Sequence, residues 1–384
     1  MIFSGSRLVD LNMRVGQHFS FIIKSVGILL LASQSFGAVV GQEAKKPDDN
    51  ASMGYGDALI YGLVEGVTEF LPISSTGHLI LTKEWLTEVG DIRSWTLKSG
   101  SVYQGGFVRM NPRQDTVLIA VGPEKEEVKL KLEDLSEESK DMAVSLFDKN
   151  SALDAYLIVI QAGAILAVTL IYRKQIWSIL LGLFGLDPRG RRLGFNLLFA
   201  FLPAAVLGPF LDDLIEFYLL FPRPIACALF AGALLMYWVE RKRKKENSFA
   251  MPDSGKSLDD LTMRSSLLIG FLQCVAMWPG TSRSMMTIVG GYLVGLTRAK
   301  AAEFSFLLGL ITLTAAAAYK CLTKWDVMKT NLEFGPVLLG CLVAGASAAV
   351  SVVWLIGYLS RRGLGIFVWY RLVLSVVILI FWYW

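Results

Sequence analysis

The chain has 384 residues, of which 54% are hydrophobic and 18% are charged, and its mean hydropathy is +0.50. This composition indicates a multi-pass membrane protein and argues against a soluble globular domain. The formal net charge of +4 is no sign of nucleic-acid binding. The basic residues concentrate in short loops between apolar runs, where they indicate topology instead.

The N-terminal residues 1–50 are typical of an export signal followed by a polar linker. Three basic residues precede an apolar run and small residues follow it, so cleavage is expected near Gly37 or Gly41. The alternative is an uncleaved first transmembrane helix. In both cases Asn50 is expected outside the cytoplasm.

Residues 62–78 form a polar segment inside an apolar stretch, and they are the first functional candidate. Glu65 and Glu69 are costly at membrane depth, where ionisable groups usually mark a functional site. Pro72 then interrupts the helix, and the hydroxyl run from Ser74 to Thr76 favours anion binding.

The two acids are spaced i, i+4, so both carboxylates leave the same face of one helix. Glu65 and Glu69 can therefore hold a hard divalent cation, Mg or Ca, with phosphate oxygens completing the shell. The alternative is a pair of buried acids satisfied by hydroxyls or by an arginine.

The hydroxyls of Ser74, Ser75 and Thr76 can donate to phosphate, and one of them can serve as a nucleophile if a base is near. His78 is the candidate acid/base, with a purely structural histidine as the alternative. It is one of two histidines in the chain, and the other, His18, lies in the leader.

Residues 86–150 do not follow the membrane pattern. They predict four short strands, separated by Gly, Asn and Pro turns and followed by an acidic helix start. We expect a small all-β extracytoplasmic insert. It resembles the Src-homology-like barrel of the endocytic-adaptor (Sla-type) homology module, a likeness that implies no activity.

Six later apolar runs are long enough, or nearly so, to span a bilayer. They are Leu153–Tyr172, Leu193–Leu211, Ile225–Val239, Phe304–Tyr319, Gly335–Tyr358 and Ile366–Trp384. Basic loops at 173–192 and 240–264 are predicted to be cytoplasmic. The segment at 62–78 then enters the bilayer and returns to the outer face.

A second interrupted segment occurs at residues 270–284, where Pro279 and Gly280 break the apolar run. Laid over the first segment, it places Ser282 on Ser74. The two segments follow loops on opposite sides, which predicts inverted repeats with a binding site near the bilayer midplane.

Arg283 lies between Ser282 and Ser284, and its fixed fork suits bidentate binding of phosphate. A snorkelling arginine is the alternative. Gln161 and Glu303 are intramembrane polar groups that can complete the cavity or be structural. Acids, hydroxyls, a histidine and an arginine together suit cleavage of a phosphoanhydride on a lipid-tailed substrate.

Several motifs resemble the bacitracin-resistance family of undecaprenyl-pyrophosphate phosphatases. The two signature stretches run from Glu65 to His78 and from Pro279 to Ser284. Shorter likenesses include Ile160-Gln161-x-Gly163, the run from Glu303 to Leu308, and Tyr370-Arg371. The resemblance omits the leader and the insert.

The resemblance implies hydrolysis of undecaprenyl pyrophosphate to undecaprenyl phosphate and inorganic phosphate. That reaction recycles the carrier lipid for peptidoglycan synthesis and confers bacitracin resistance. It also implies a divalent cation. We expect Glu65, Glu69, Ser75, His78 and Arg283 to be catalytic. Substrate-binding residues are expected to be Ser74, Thr76, Gln161, Ser282, Ser284 and Glu303.

The predicted architecture is an all-α polytopic membrane protein with about six transmembrane helices and two re-entrant helical hairpins. The phosphatase domain comprises 51–85 and 151–384, with repeats at 57–240 and 262–384, and the insert at 86–150 interrupts the first repeat. We expect a bacterial inner-membrane protein whose site faces outward. A homodimer and an envelope component bound by the insert are possible partners. A flippase for undecaprenyl phosphate is the alternative function.

Overall fold

The computed structural model describes residues 53–86, 92–111, 114–122, 126–246, 255–323 and 332–383, together with 325, 328 and 329. The predicted export signal and linker at 1–50 lie outside the described residues. The described part is mainly helical. Its helices are α1 (Tyr55–Thr68), α2 (Ser75–Leu86), α3 (Glu137–Ile171), α4 (Arg173–Leu183), α5 (Pro188–Tyr218), α6 (Pro222–Glu246), α7 (Met263–Val275), α8 (Arg283–Leu293), α9 (Arg298–Thr323), α10 (Phe334–Arg362) and α11 (Gly365–Tyr383).

Five of the described helices, α3, α5, α6, α9 and α10, are long and apolar enough to cross a membrane. They contain the first five predicted apolar runs almost completely, which confirms a multi-pass membrane protein. The sixth predicted run falls in α11, whose apolar stretch is shorter. The predicted number of six spans is therefore not confirmed within the described ranges.

The insert contains one small antiparallel sheet, made of β1 (Ile92–Thr96), β2 (Val102–Asn111), β3 (Thr116–Val121) and β4 (Glu126–Lys131). Each strand pairs with the next along the chain. Its small core contains Trp95, whose Nε1 donates to the Gly105 carbonyl at 2.8 Å. The described strands form an open meander, so the small sheet is confirmed and the predicted barrel is not.

The insert continues into the membrane part without a break. The sequence places the end of the insert at residue 150 and the next span at Leu153, but α3 is one helix of 35 residues. Ser136 caps it by accepting from the Ser139 amide at 3.3 Å. No Gly or Pro interrupts its polar first half, so the change from polar to apolar residues does not end the helix.

Two helices of the membrane part meet at unusually close range. On α1, Gly62 and Gly66 face α10, and a methyl group at Gly62 would lie 2.7 Å from the Gly340 carbonyl. At Gly66 it would collide with the Ala344 carbonyl and the Ser347 hydroxyl. Small residues four apart allow such an approach between membrane helices. The same helix α1 carries Glu65.

Two breaks divide pairs of short helices, at 69–74 between α1 and α2 and at 276–282 between α7 and α8. Each break ends in a serine with a left-handed backbone, Ser74 at φ 74° and Ser282 at φ 73°. These are the two serines that the sequence overlay superimposes. For a residue with a side chain this conformation is costly, so the surrounding contacts must hold it. The inverted repeats and re-entrant hairpins stay predictions.

The Gly66→Ala substitution should separate α1 from α10, because the added methyl group has no room beside the Ala344 carbonyl. Overpacking of this kind costs about 1–3 kcal/mol. We expect a lower unfolding temperature in detergent. Gly357→Ala in α10 is the matched control, since a methyl group there meets nothing within 4 Å. Equal stability of the two variants would contradict this account of the packing.

Candidate active site

The two breaks come together in the interior of the membrane part. Ser284, in the first turn of α8, donates its hydroxyl to the Leu71 carbonyl in the first break at 2.8 Å. Arg283 reaches Glu69, with Nη2 3.1 Å from Oε1. The Arg283 guanidinium also lies over the Phe70 ring, 5.7 Å from its centroid. The predicted halves of the site therefore touch directly.

The Arg283 side chain is held at several points and is mostly buried. Its Nη1 donates to the Ser305 carbonyl of α9 at 3.2 Å. Gly309, one turn further along α9, has no side chain, and a methyl group there would collide with Nη1. The Arg283 Nε has no hydrogen-bond partner within the described residues. Two of the five N–H donors of the guanidinium are therefore used in these contacts, and the buried Nε is left unsatisfied.

Glu69 links the arginine to a hydroxyl. Its Oε2 accepts from Ser75 Oγ at 2.8 Å while its Oε1 pairs with Arg283. Glu69 is only 8% exposed. Ser75 is the first residue of α2, so its hydroxyl lies at a helix N-terminus, where free amides and the helix dipole favour an anion. The Ser75 hydroxyl, the Glu69 carboxylate and the Arg283 guanidinium thus form one continuous chain of contacts.

Glu65 lies one turn before Glu69 and is fully buried. Both of its carboxylate oxygens lack a hydrogen bond to any described residue. Gln161 of α3 faces this carboxylate, but in a geometry that leaves the two oxygens unsatisfied. Buried carboxylate oxygens without donors suit a hard cation.

The described residues contain no group of three or more His, Cys, Asp and Glu side chains placed to hold a metal. A cation at Glu65 would therefore need further oxygen ligands from Glu69, from a substrate or from water. The donor set fits a cation shared between protein and phosphate. It does not form a complete cage of protein side chains.

His78 is bonded through both ring nitrogens. Nδ1 lies 2.7 Å from the Ser74 carbonyl, and Nε2 lies 2.6 Å from the Tyr370 hydroxyl of α11. The His78 and Tyr370 rings are stacked, with centroids 5.6 Å apart. The described contacts therefore place Glu69, and not His78, beside the Ser75 hydroxyl.

The remaining predicted residues divide into two groups. Ser74 Oγ accepts from the Gly77 amide at 3.3 Å, and Ser282 Oγ bonds to Ser284 Oγ at 3.0 Å, so both serines belong to the breaks. Thr76 is half-buried in the first turn of α2. Glu303 bonds to Gln175 at 3.1 Å and to Lys300 at 2.7 Å. These contacts do not join Glu303 to the other predicted site residues.

Tyr370 and Arg371 of α11, a family likeness with no role predicted from sequence, contact His78 and the second break. Arg371 is fully buried and donates to the carbonyls of Ala228, Leu229 and Gly280. Gly280 lies in the second break. The position of Arg371 inside an apolar run could have indicated a buried polar contact of this kind. No local pattern indicates the Tyr370 contact, because 292 residues separate it from His78.

Five apolar helices and a buried cluster of carboxylates, hydroxyls and an arginine define a multi-pass membrane protein with an interior polar site. The chain belongs to the family described as Bacitracin resistance protein BacA, which it matches over residues 58–104 and 140–377. The unmatched residues between these segments form most of the insert sheet.

Curated relatives agree with the family. The chain is 37% identical over 322 residues to Undecaprenyl-diphosphatase 2 of Rhodospirillum rubrum, covering 84% of this chain and 93% of that protein. It is 37% identical to the Undecaprenyl-diphosphatase of Sorangium cellulosum, covering 84% and 85%. For the Undecaprenyl-diphosphatase of Ectopseudomonas mendocina the identity is 34%, covering 85% and 93%.

The Glu69–Arg283 pair yields a direct prediction. Glu69→Gln and Arg283→Ala should each lower phosphate release from the lipid in detergent by at least about a hundredfold. Arg283 is the cation that would offset charge on the phosphoryl oxygens, and Glu69 is the carboxylate that accepts from the Ser75 hydroxyl. Asp154→Asn is the matched control. Asp154 forms a long, partly exposed ion pair with Lys83 at 3.8 Å, and such a pair contributes little. Full activity in both site variants would contradict the assignment.

Proposed function

We propose that this protein hydrolyses undecaprenyl pyrophosphate to undecaprenyl phosphate and inorganic phosphate. Membership of the BacA family and three relatives named undecaprenyl-diphosphatase support that reaction. The observation that carries the proposal is the chain of contacts from Ser75 through Glu69 to Arg283. The relatives' names favour hydrolysis over the flippase alternative.

In the proposed mechanism the terminal phosphate binds at the N-terminus of α2 and against the Arg283 fork. Ser75 Oγ attacks the terminal phosphorus and gives its proton to Glu69. The bond from that phosphorus to the bridging oxygen breaks, and its electron pair leaves with undecaprenyl phosphate. Glu69 passes its proton to the departing undecaprenyl phosphate. Water then attacks the phosphorus of the phosphoserine and gives a proton to Glu69. The bond from phosphorus to Ser75 Oγ breaks, and Glu69 returns the proton to Ser75 as inorganic phosphate leaves.

Direct attack by water is the other possibility, with Glu69 again as the proton acceptor. Its carboxylate is within 2.8 Å of the position from which Ser75 donates, so a water molecule in place of the hydroxyl would meet the same base. His78 was predicted from sequence as the acid/base. Glu69 is the group that hydrogen-bond reach supports in that role.

A divalent cation is part of the proposal, held by Glu65 and Glu69 together with phosphate oxygens. When bound, it would neutralise charge that accumulates on the phosphoryl oxygens. The two unsatisfied Glu65 oxygens support this assignment. Glu69 would then be shared among the cation, Arg283 and the attacking hydroxyl.

We further propose that the site opens to the extracytoplasmic side of the bacterial inner membrane. The basic loops and the N-terminal signal pattern support this orientation. The two serine-ended breaks support an inverted repeat with re-entrant hairpins. Recycling of the carrier lipid for peptidoglycan, with bacitracin resistance as a consequence, follows from the proposed reaction.

The insert is proposed to bind an envelope component or to support a homodimer. Both roles are supported by the position of the sheet, most of which lies outside the segments that match the family. Arg109 of β2 lies over the Phe221 ring, 4.8 Å from its centroid, so the insert also contacts the turn between α5 and α6. Removal of 92–131, which spares α3, would contradict both roles if assembly, location and activity were unchanged.

A chelator tests the proposed cation independently of the other site residues. We expect it to lower phosphate release by the intact protein at least about tenfold, with recovery on adding Mg or Ca, because the Glu65 carboxylate would lose its counter-charge. Glu65→Gln should have low activity that no longer responds to chelator or metal. Undiminished release by the chelated intact protein would remove the cation from the proposal.

Detection of a covalent intermediate would distinguish attack by Ser75 from direct attack by water. If Ser75 is the nucleophile, rapid acid quenching during turnover should leave phosphate on the Ser75 peptide, detectable by mass spectrometry. Ser75→Ala, digested in parallel, should carry none. Turnover without phosphate on Ser75 at any quench time, together with substantial residual activity of Ser75→Ala, would favour direct attack by water.

A further inference from the structure

The hydrogen bonds of His78 determine where its proton lies. The Ser74 carbonyl can only accept, so His78 Nδ1, 2.7 Å away, must carry the proton and donate it. In the neutral ring Nε2 is then an acceptor, and the Tyr370 hydroxyl, 2.6 Å away, donates to it. Both ring nitrogens are satisfied within the chain.

This arrangement leaves His78 without a free lone pair for the Ser75 hydroxyl. That hydroxyl donates instead to Glu69 Oε2 at 2.8 Å. A base must lie within hydrogen-bond reach of the proton that it removes. In the present geometry His78 would have to break its bond to Tyr370 before it could accept a proton.

The hydrogen bond from His78 Nδ1 holds a strained residue, Ser74, in place. Ser74 has φ 74°, and its carbonyl is held by His78 Nδ1 while its Oγ accepts from the Gly77 amide. Ser74 directly precedes Ser75. Fixing the Ser74 carbonyl therefore fixes the direction in which α2 begins and the position of the Ser75 hydroxyl.

The next residue of α11 acts on the other break. Arg371 Nη2 donates to the Gly280 carbonyl at 3.0 Å, and Gly280 has φ 92°. Two adjacent side chains of one helix thus hold both breaks, Tyr370 through His78 and Arg371 directly. The Tyr370–Arg371 pair therefore links the two breaks through a third helix, α11.

We propose that Tyr370 is a positioning residue for the proposed hydrolysis: it fixes the His78 ring, and His78 in turn positions Ser74 and Ser75 without serving as the base. The proposal rests on the proposed function. It adds a role for Tyr370 and replaces the acid/base role of His78. Glu69 is the remaining proton acceptor beside Ser75.

The protonated nitrogen can be observed without any activity measurement. In the full chain with His18→Gln, His78 is the one histidine of the sequence, so ¹⁵N-labelled histidine reports on it alone. We expect the Nδ1–H form at neutral pH both in the unsubstituted protein and after Tyr370→Phe, because the Ser74 carbonyl is unchanged. In Tyr370→Phe the chemical shift of Nε2 should change, because that nitrogen loses its donor. A predominant Nε2–H form in the unsubstituted protein would overturn the proposal.

Kinetics test the consequence. Asn at position 78 can still donate to the Ser74 carbonyl from near the Nδ1 position, but it cannot accept a proton as a base. We expect His78→Asn to retain at least about a tenth of the kcat, while His78→Ala loses at least about a hundredfold. Equal loss in the two variants would indicate a base and overturn the proposal.

Tyr370→Phe removes the single donor to Nε2 and should lower kcat about tenfold with KM within about twofold. In the His78→Asn background it should have little further effect, since the two residues act in series. Tyr172→Phe is the matched control, because that buried hydroxyl has no partner within the described residues. Full activity of Tyr370→Phe would overturn the proposal, whereas an inactive unsubstituted protein would contradict the hydrolase function itself.

Discussion

The ion pair between Glu69 and Arg283 is the constraint on which the site depends. Both side chains are largely buried, and taking two charges out of water is compensated only when the geometry and further hydrogen bonds are good. Here Ser75 donates to the second carboxylate oxygen, and the Ser305 carbonyl accepts from Arg283 Nη1. Because the partners come from different breaks, neither half can move without leaving a buried charge unpaired.

The rest of the membrane part maintains that alignment from several directions. Gly66 brings α1 against α10, and Arg371 of α11 holds the Gly280 carbonyl of the second break. At the far end of α6, the buried Glu240 pairs with Arg298 at 2.6 Å and accepts from the Leu364 amide at 3.3 Å. That contact connects α6, α9 and the turn between α10 and α11, so these longer helices are joined to one another by a buried ion pair.

The sequence predicted those features that leave a local signature. Prolines and hydroxyls mark the breaks, and acids in apolar runs mark the carboxylates of Glu65 and Glu69. It did not show that the predicted acidic helix start and the apolar run from Leu153 belong to one helix, α3, because a change from polar to apolar residues does not interrupt backbone hydrogen bonds. It could not indicate the bond from Tyr370 to His78, since a contact across 292 residues depends on packing alone. For Glu303 the sequence left a cavity role and a structural role open, and it did not indicate the contacts with Gln175 and Lys300.

The observed pairing also bears on how the proposed substrate would bind. Arg283 Nη2 already has an anionic partner in Glu69, so a phosphate that takes the same fork would compete with that carboxylate. In the proposed mechanism this exchange would release Glu69 from the guanidinium while its Oε2 still faces the Ser75 hydroxyl. One anion would replace another, so the buried guanidinium would never be left without a counter-charge.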